Sequence, residues 1–173
     1  MKRAPLLAWV LLFLYGVWAL ALQGLLAAPR LLGACAPDLG LVLLLALGAR
    51  LVPARARVAA VLIALARAGF SADPPAAELA GYLGAVGLSA ALRAGLEIDR
   101  PLARALLAGL LSLLLTAFWL AVRMVALAAE PGGRGLGEAL LWPGALATAA
   151  AALFLAPALR RLPGLADLWR GRA

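Results

Sequence analysis

The sequence predicts an all-α membrane protein, one bundle of six transmembrane helices spanning residues 1–173. Three observations predict it. Hydrophobic residues make up 66% of the chain, where a soluble domain is about 45–50% apolar. They are gathered in uncharged runs of membrane-crossing length, split by short segments that hold most of the charge. The sign of that charge differs systematically between alternate segments. A length of 173 residues suits a single domain.

A crossing helix needs about 20 apolar residues for roughly 30 Å of hydrocarbon. Residues 4–28 are uncharged and form helix one. The start, "MKRAPLLAWVLLFLYGVWALA", has the basic end, apolar core and Ala19-x-Ala21 site of a signal peptide. Its apolar run exceeds the usual core of about 7–15 residues, so it is read as an uncleaved first helix. Helix two is assigned to residues 31–49, where Asp38 is the only charge. Within it, Pro37 and Asp38 read as a helix start. A proline's missing N–H costs nothing there, and a carboxylate faces the positive end of the helix dipole.

Helices three (58–70) and four (75–92) rest on the shortest apolar runs, 13 residues at 58–70 with Arg67 among them and 14 at 79–92, and are expected to be short or irregular. Each spans only by extending into the "SADPPAAE" link. Helix five covers 102–123, and helix six covers 139–159 with "LWPG" near its start. The segment 160–173, "RRLPGLADLWRGRA", is a basic tail. It is read either as lying on an anionic inner leaflet through Trp169 or as solvated and disordered.

Lys and Arg collect on the cytoplasmic side of membrane proteins. With the N-terminus inside, the inner segments hold Lys2, Arg3, Arg50, Arg55, Arg57, Arg93, Arg100, Arg104, Arg160, Arg161, Arg170 and Arg172, 12 of the 16 basic residues. Asp38, Asp73, Glu78, Glu130 and Glu138 fall outside. Both termini are therefore expected in the cytoplasm.

The polar inventory excludes most chemistry. The chain has no His or Asn, and Gln23 and Cys35 stand alone. Beside Tyr15 and Tyr82, the hydroxyls are Ser71, Ser89, Ser112, Thr116 and Thr148. No Ser/His or Cys/His pair and no zinc-ligand cluster can be assembled. No catalytic residue, metal or cofactor is expected, and Cys35 is read as a small buried hydrophobe. The net charge of +8 is explained by topology; the basic residues form no aromatic-interleaved patch for nucleic acid.

Charges inside a membrane are costly and usually functional. Arg67 and Arg123 near the outer ends of helices three and five, Asp38 on helix two, and Asp73 and Glu78 in the link share one outer level. Gln23 lies close to it, and Tyr82 is one turn below Glu78. These residues, with Pro37, Leu39 and Phe70, are expected to line or brace a pocket open to the outside, with Asp38 at its rim. On helix four, Gly81, Ala85 and Ser89 recur every four residues, as do Ala80, Gly84 and Leu88. Small residues at that spacing allow close helix approach, either to a partner or within the bundle. The glycine-rich "EPGGRGLGE" lacks the pattern of a nucleotide-binding loop and is read as an outer loop.

Several stretches fall in a familiar order: "LQ" at Leu22–Gln23, "PDL" at Pro37–Leu39, "GFSAD" at Gly69–Asp73, "LWP" at Leu141–Pro143, then a basic tail. Over nearly its full length the chain resembles the MreD family of rod shape-determining membrane proteins. It departs from the family pattern after Asp73, where "PPAAE" stands in place of an expected glycine. The resemblance implies a non-enzymatic scaffold of the bacterial cell-elongation complex. Such a protein binds MreC, a single-pass protein with a periplasmic bulk, and is joined less directly to MreB, the RodA glycosyltransferase and its transpeptidase. It also implies a fold similar to the S components of energy-coupling-factor vitamin transporters.

Two further readings compete. An S component would use the same pocket for a vitamin, but a water-soluble ligand needs several placed hydrogen-bonding groups, which are scarce here. A membrane enzyme would have to act through carboxylates alone, and none are paired at helical spacing in a membrane core.

Overall fold

A computed structural model describes residues 6–93, 100–128, 141–165 and 168. Among them six α-helices follow one another, with no β-strand: α1 Leu6–Leu26, α2 Leu39–Gly48, α3 Pro53–Ala68, α4 Pro75–Arg93, α5 Pro101–Ala128 and α6 Leu141–Leu159. A 3-10 turn at Gly33–Cys35 precedes α2. Four helices, α1, α4, α5 and α6, are long and apolar enough to cross a membrane. The chain is a multi-pass membrane protein.

Proline sets three of the helix starts. Pro53, Pro75 and Pro101 are the first residues of α3, α4 and α5, where a missing N–H forfeits no intrahelical bond and the fixed φ is already helical. The start of α2 is set by a carboxylate instead. Asp38 stands just outside the helix at φ −78°, ψ 89°, and its Oδ1 accepts from the Leu41 N–H at 2.9 Å. That bond satisfies a donor which every helix start leaves orphaned.

The predicted helix two, 31–49, is thereby corrected to Leu39–Gly48. Residues 27–36 are turns closed by local backbone bonds such as Leu31 N to Ala28 O and Ala36 N to Gly33 O. Hydropathy does not distinguish such turns from helix. Cys35, read as buried, is exposed in the same segment.

The shortest helix is therefore α2, not the third or fourth. The start of α3 precedes the predicted position 58, because the uncharged run stops at Arg57 while the helix runs on through Arg55 and Arg57; arginine stems can lie along a helix while the heads reach water. Gly69 ends it as the C-cap. The helix α4 is a regular 19 residues, and α5 continues past Arg123 to Ala128.

At about 15 Å for ten residues, α2 is half the thickness of a bilayer core. Every residue from Leu39 to Gly48 is buried, because α2 packs against each of the other five helices. It is apolar all round, as a helix with no exposed face must be. The others form a ring in the order α1, α3, α4, α5, α6. The ring is open between α6 and α1, leaving an apolar groove of about 540 Å³ with Leu39 and Leu43 among its lining residues. Trp18, Leu106, Val125 and Phe154 point outward and exposed, as a lipid-facing surface requires.

The described part of the segment after α6 is not solvated throughout but partly turns inward. Leu165 and Leu168 are fully buried. Gly164, at φ +78°, turns the chain where any Cβ would run into Leu11. The Tyr15 hydroxyl donates to Pro163 O at 3.2 Å, and Arg55 Nη1 donates to Leu168 O. Leu165 and Leu168 are thereby held against the bundle beside α1 and α3. Trp169, the loop "EPGGRGLGE" and residues 94–99 lie outside the described residues.

Candidate functional site

The end of the bundle where α2 begins collects the polar residues. Burying the start of α2 creates a problem that its neighbours solve. Its first N–H groups have no helical partner and no access to bulk water. The Asp38 N–H donates to Thr148 Oγ1 of α6 at 2.9 Å, the Leu39 N–H to Gln23 Oε1 of α1 at 3.0 Å, and the Leu41 N–H to Asp38 itself. Ser112 of α5 lies 3.1 Å from Thr148 Oγ1. The chain's one glutamine and two of its few hydroxyls thus serve one helix end.

Arg67, at the end of α3, is the hub. Its Nη1 lies 3.2 Å from Asp38 Oδ2 and donates to the Tyr82 hydroxyl at 3.2 Å. The Tyr82 hydroxyl in turn donates to Asp38 Oδ1 at 3.1 Å. Arg67 Nε donates to Glu78 Oε1 at 3.2 Å and lies 3.1 Å from Oε2; only Oε1 is aligned for a hydrogen bond. The guanidinium carbon sits 3.9 Å from the Trp119 ring centroid, a cation–π distance. Gly40 makes the arrangement possible: a Cβ there would lie 2.8 Å from the Tyr82 hydroxyl oxygen.

A second pair stands beside this hub. Arg123 Nε and Nη2 each donate to the Asp73 carboxylate at 2.7 Å, a bidentate fork. Ser71 Oγ donates to Asp73 Oδ2 at 3.1 Å and accepts from the Asp73 N–H at 3.0 Å. The hydrogen bonds from Arg123 hold the Asp73 carboxyl below the usual carboxylate range.

Above the hub opens a pocket of about 230 Å³, walled by Leu20, Gln23, Gly24, Arg67, Phe70 and Arg123 among others. Of the residues predicted for it, Gln23, Arg67, Phe70 and Arg123 form its wall. Asp38, Asp73, Glu78 and Tyr82 are buried and brace the arginines without lining the pocket. Asp38 is thus not a rim residue: capping a buried helix buries the cap, at 7% exposure. Pro37 is buried ahead of the cap, and Leu39 lies along the apolar α1–α6 groove.

On α4 the two small-residue stripes separate. Gly81, Ala85 and Ser89 are buried in the bundle, and a Cβ on Gly81 would come within 2.9 Å of Leu115 of α5. Gly84 faces out with nothing within 4 Å of its Cβ position. It opens on an apolar furrow between α4 and α5.

Sequence reasoning missed Trp119, Thr148, Ser112 and Ser71 as parts of the site. Their signals were present. Trp119 precedes Arg123 by one turn on the same face, and a hydroxyl in so apolar a chain is itself informative. No group of His, Cys, Asp and Glu placed to hold a metal occurs among the described residues.

The chain matches no protein-family model, no curated protein and no solved structure.

Proposed function

We propose that this protein is a non-enzymatic MreD-like scaffold of the bacterial cell-elongation complex. In this reading it lies in the inner membrane with both termini cytoplasmic. Its pocket faces outward and receives the membrane-proximal part of an MreC-like single-pass protein, and through it the chain supports peptidoglycan synthesis and cell shape. Contacts with MreB, RodA and the transpeptidase are indirect.

The observation that carries the reading is the pocket over the Arg67 hub. Five ionisable side chains, from the cap of α2, from α3, α4 and α5 and from the α3–α4 link, meet there. Charges so placed are expensive and mark function more often than stability. The sequence resemblance supplies the partner. Support against catalysis comes from the carboxylates of the cluster, which are each engaged by an arginine and offer no nucleophile–base pair among the described residues. A vitamin-binding S component is less well supported, because the pocket, at about 230 Å³, is smaller than the roughly 300–1,000 Å³ of small-molecule sites.

Co-purification tests the proposal. The chain and the MreC-like protein of the same organism are co-expressed and extracted in mild detergent. A stable complex is expected, weakened in an Arg123→Ala variant that remains folded. Undiminished recovery of the complex with that variant would exclude the pocket as the contact, and no complex with the unaltered chain would exclude the scaffold reading.

A further inference from the structure

The side-chain polar groups left over on the pocket wall are all donors. Gln23 Oε1 is turned toward the Leu39 N–H, so its amide NH₂ faces away from that bond. Arg67 uses Nε and Nη1 on Glu78, Asp38 and Tyr82, which leaves Nη2. Arg123 uses Nε and Nη2 on Asp73, which leaves Nη1. Ser71 Oγ is engaged with Asp73 in both directions. Three donor groups from α1, α3 and α5 therefore border one small space with no side-chain acceptor among the described residues to meet them.

A wall of donors suggests an anion, but the charge arrangement argues otherwise. Asp38, Asp73 and Glu78 already face Arg67 and Arg123, so the cluster holds one more carboxylate than guanidinium. An incoming anion would meet that excess at short range in a poorly screened site. A neutral acceptor gains the hydrogen bonds without the repulsion. Leu20 and Phe70 add apolar wall for the stem that carries the acceptor.

We infer that the pocket recognises uncharged peptide carbonyls, as a turn or unwound helix end of a partner polypeptide presents them. A helix end bares up to four carbonyls at once, which suits donors converging from three helices. This deepens the scaffold reading and rests on it, by naming the chemistry of the contact.

Two variants test the inference. Gln23→Glu keeps an acceptor for the Leu39 N–H but turns the pocket's amide donor into an acceptor. Gly24→Leu fills the space from a wall position with nothing within 4 Å of its Cβ, leaving the ion network untouched. Both are titrated in detergent with the full-length MreC-like protein, and thermal unfolding confirms their fold. Affinity is expected to fall at least tenfold in each variant and to change little between low and high salt for the unaltered chain. Inorganic phosphate and glutarate, added alone, are expected to leave its melting temperature unchanged. Stabilisation by either anion would overturn the inference in favour of an oxyanion site. A phospholipid retained in native mass spectra and lost in Gly24→Leu would overturn it in favour of a lipid. Unchanged partner affinity in both variants would overturn it while leaving the scaffold reading intact. Failure of the unaltered chain to bind the partner would overturn both.

Discussion

At the start of α2, Arg67 joins Asp38, Glu78 and Tyr82, and Arg123 pairs with Asp73 beside them. At the other end of the same helix two arginines reach backbone carbonyls. Arg93 Nη1 donates to Gly48 O at 2.6 Å, Arg55 donates to Leu168 O, and Leu165 and Leu168 close the core. Both ends suit the helix dipole, with a carboxylate at the positive end and an arginine at the negative one. They differ in coupling. A carbonyl that loses its arginine is still neutral, whereas a buried carboxylate that loses its arginine is a stranded charge. The hub is therefore a cooperative network, whereas the Arg93–Gly48 and Arg55–Leu168 contacts each end on a neutral carbonyl.

Breaking the hub should have the largest effect. Arg67→Ala leaves Asp38 and Glu78 without their cation and should cost about 3–5 kcal/mol, as removal of one partner from a buried pair does. Arg67→Lys should recover only part of this, since an ammonium cannot hold Asp38, Glu78 and Tyr82 while lying flat on Trp119. Equilibrium unfolding in mixed micelles measures both.

At the opposite end, Leu168→Ala should cost about 2–5 kcal/mol, the range of core Leu→Ala losses, since Leu168 is fully buried. The contrast sharpens in combination. Leu168→Ala and Arg67→Ala should add, while Tyr82→Phe, worth about 1 kcal/mol alone, should be markedly non-additive with Arg67→Ala.

A smaller effect separates the hub from its neighbouring pair. Asp73 has its carboxyl pKa lowered in the folded protein by Arg123. Its contribution is therefore complete above the ordinary carboxylate pKa of about 3.9 and is lost as pH falls through the lower folded value. Because the Arg123 side chain is 52% exposed, the pair should contribute only about 0.2–1 kcal/mol. Melting temperatures from neutral pH to pH 3 should fall less steeply in Asp73→Asn than in the unaltered chain, and the curves should converge at the acid end.

The last prediction carries no stability change. Cys35, the only cysteine, is exposed in the turn before α2. A membrane-impermeant maleimide should label it in spheroplasts without permeabilisation if the hub end faces outward. Labelling only after lysis would reverse the orientation.

The run structure of the sequence determined the helix count and the lipid-facing character of the surface, because a bilayer rewards apolar length along the chain and little else. Proline positions at 53, 75 and 101 and the level shared by Asp38, Arg67, Asp73, Glu78 and Arg123 were legible for the same reason: each depends on distance along a helix of known rise. Only the tertiary structure decided that α2 is short and central, that Leu165 and Leu168 turn inward, and that Gln23 and Thr148 serve α2 while Trp119 serves Arg67. Those facts depend on which helices are neighbours. A hydropathy run carries no record of its neighbours, so an N–H deprived of water found its partner in residues as far along the chain as Asp38 is from Thr148.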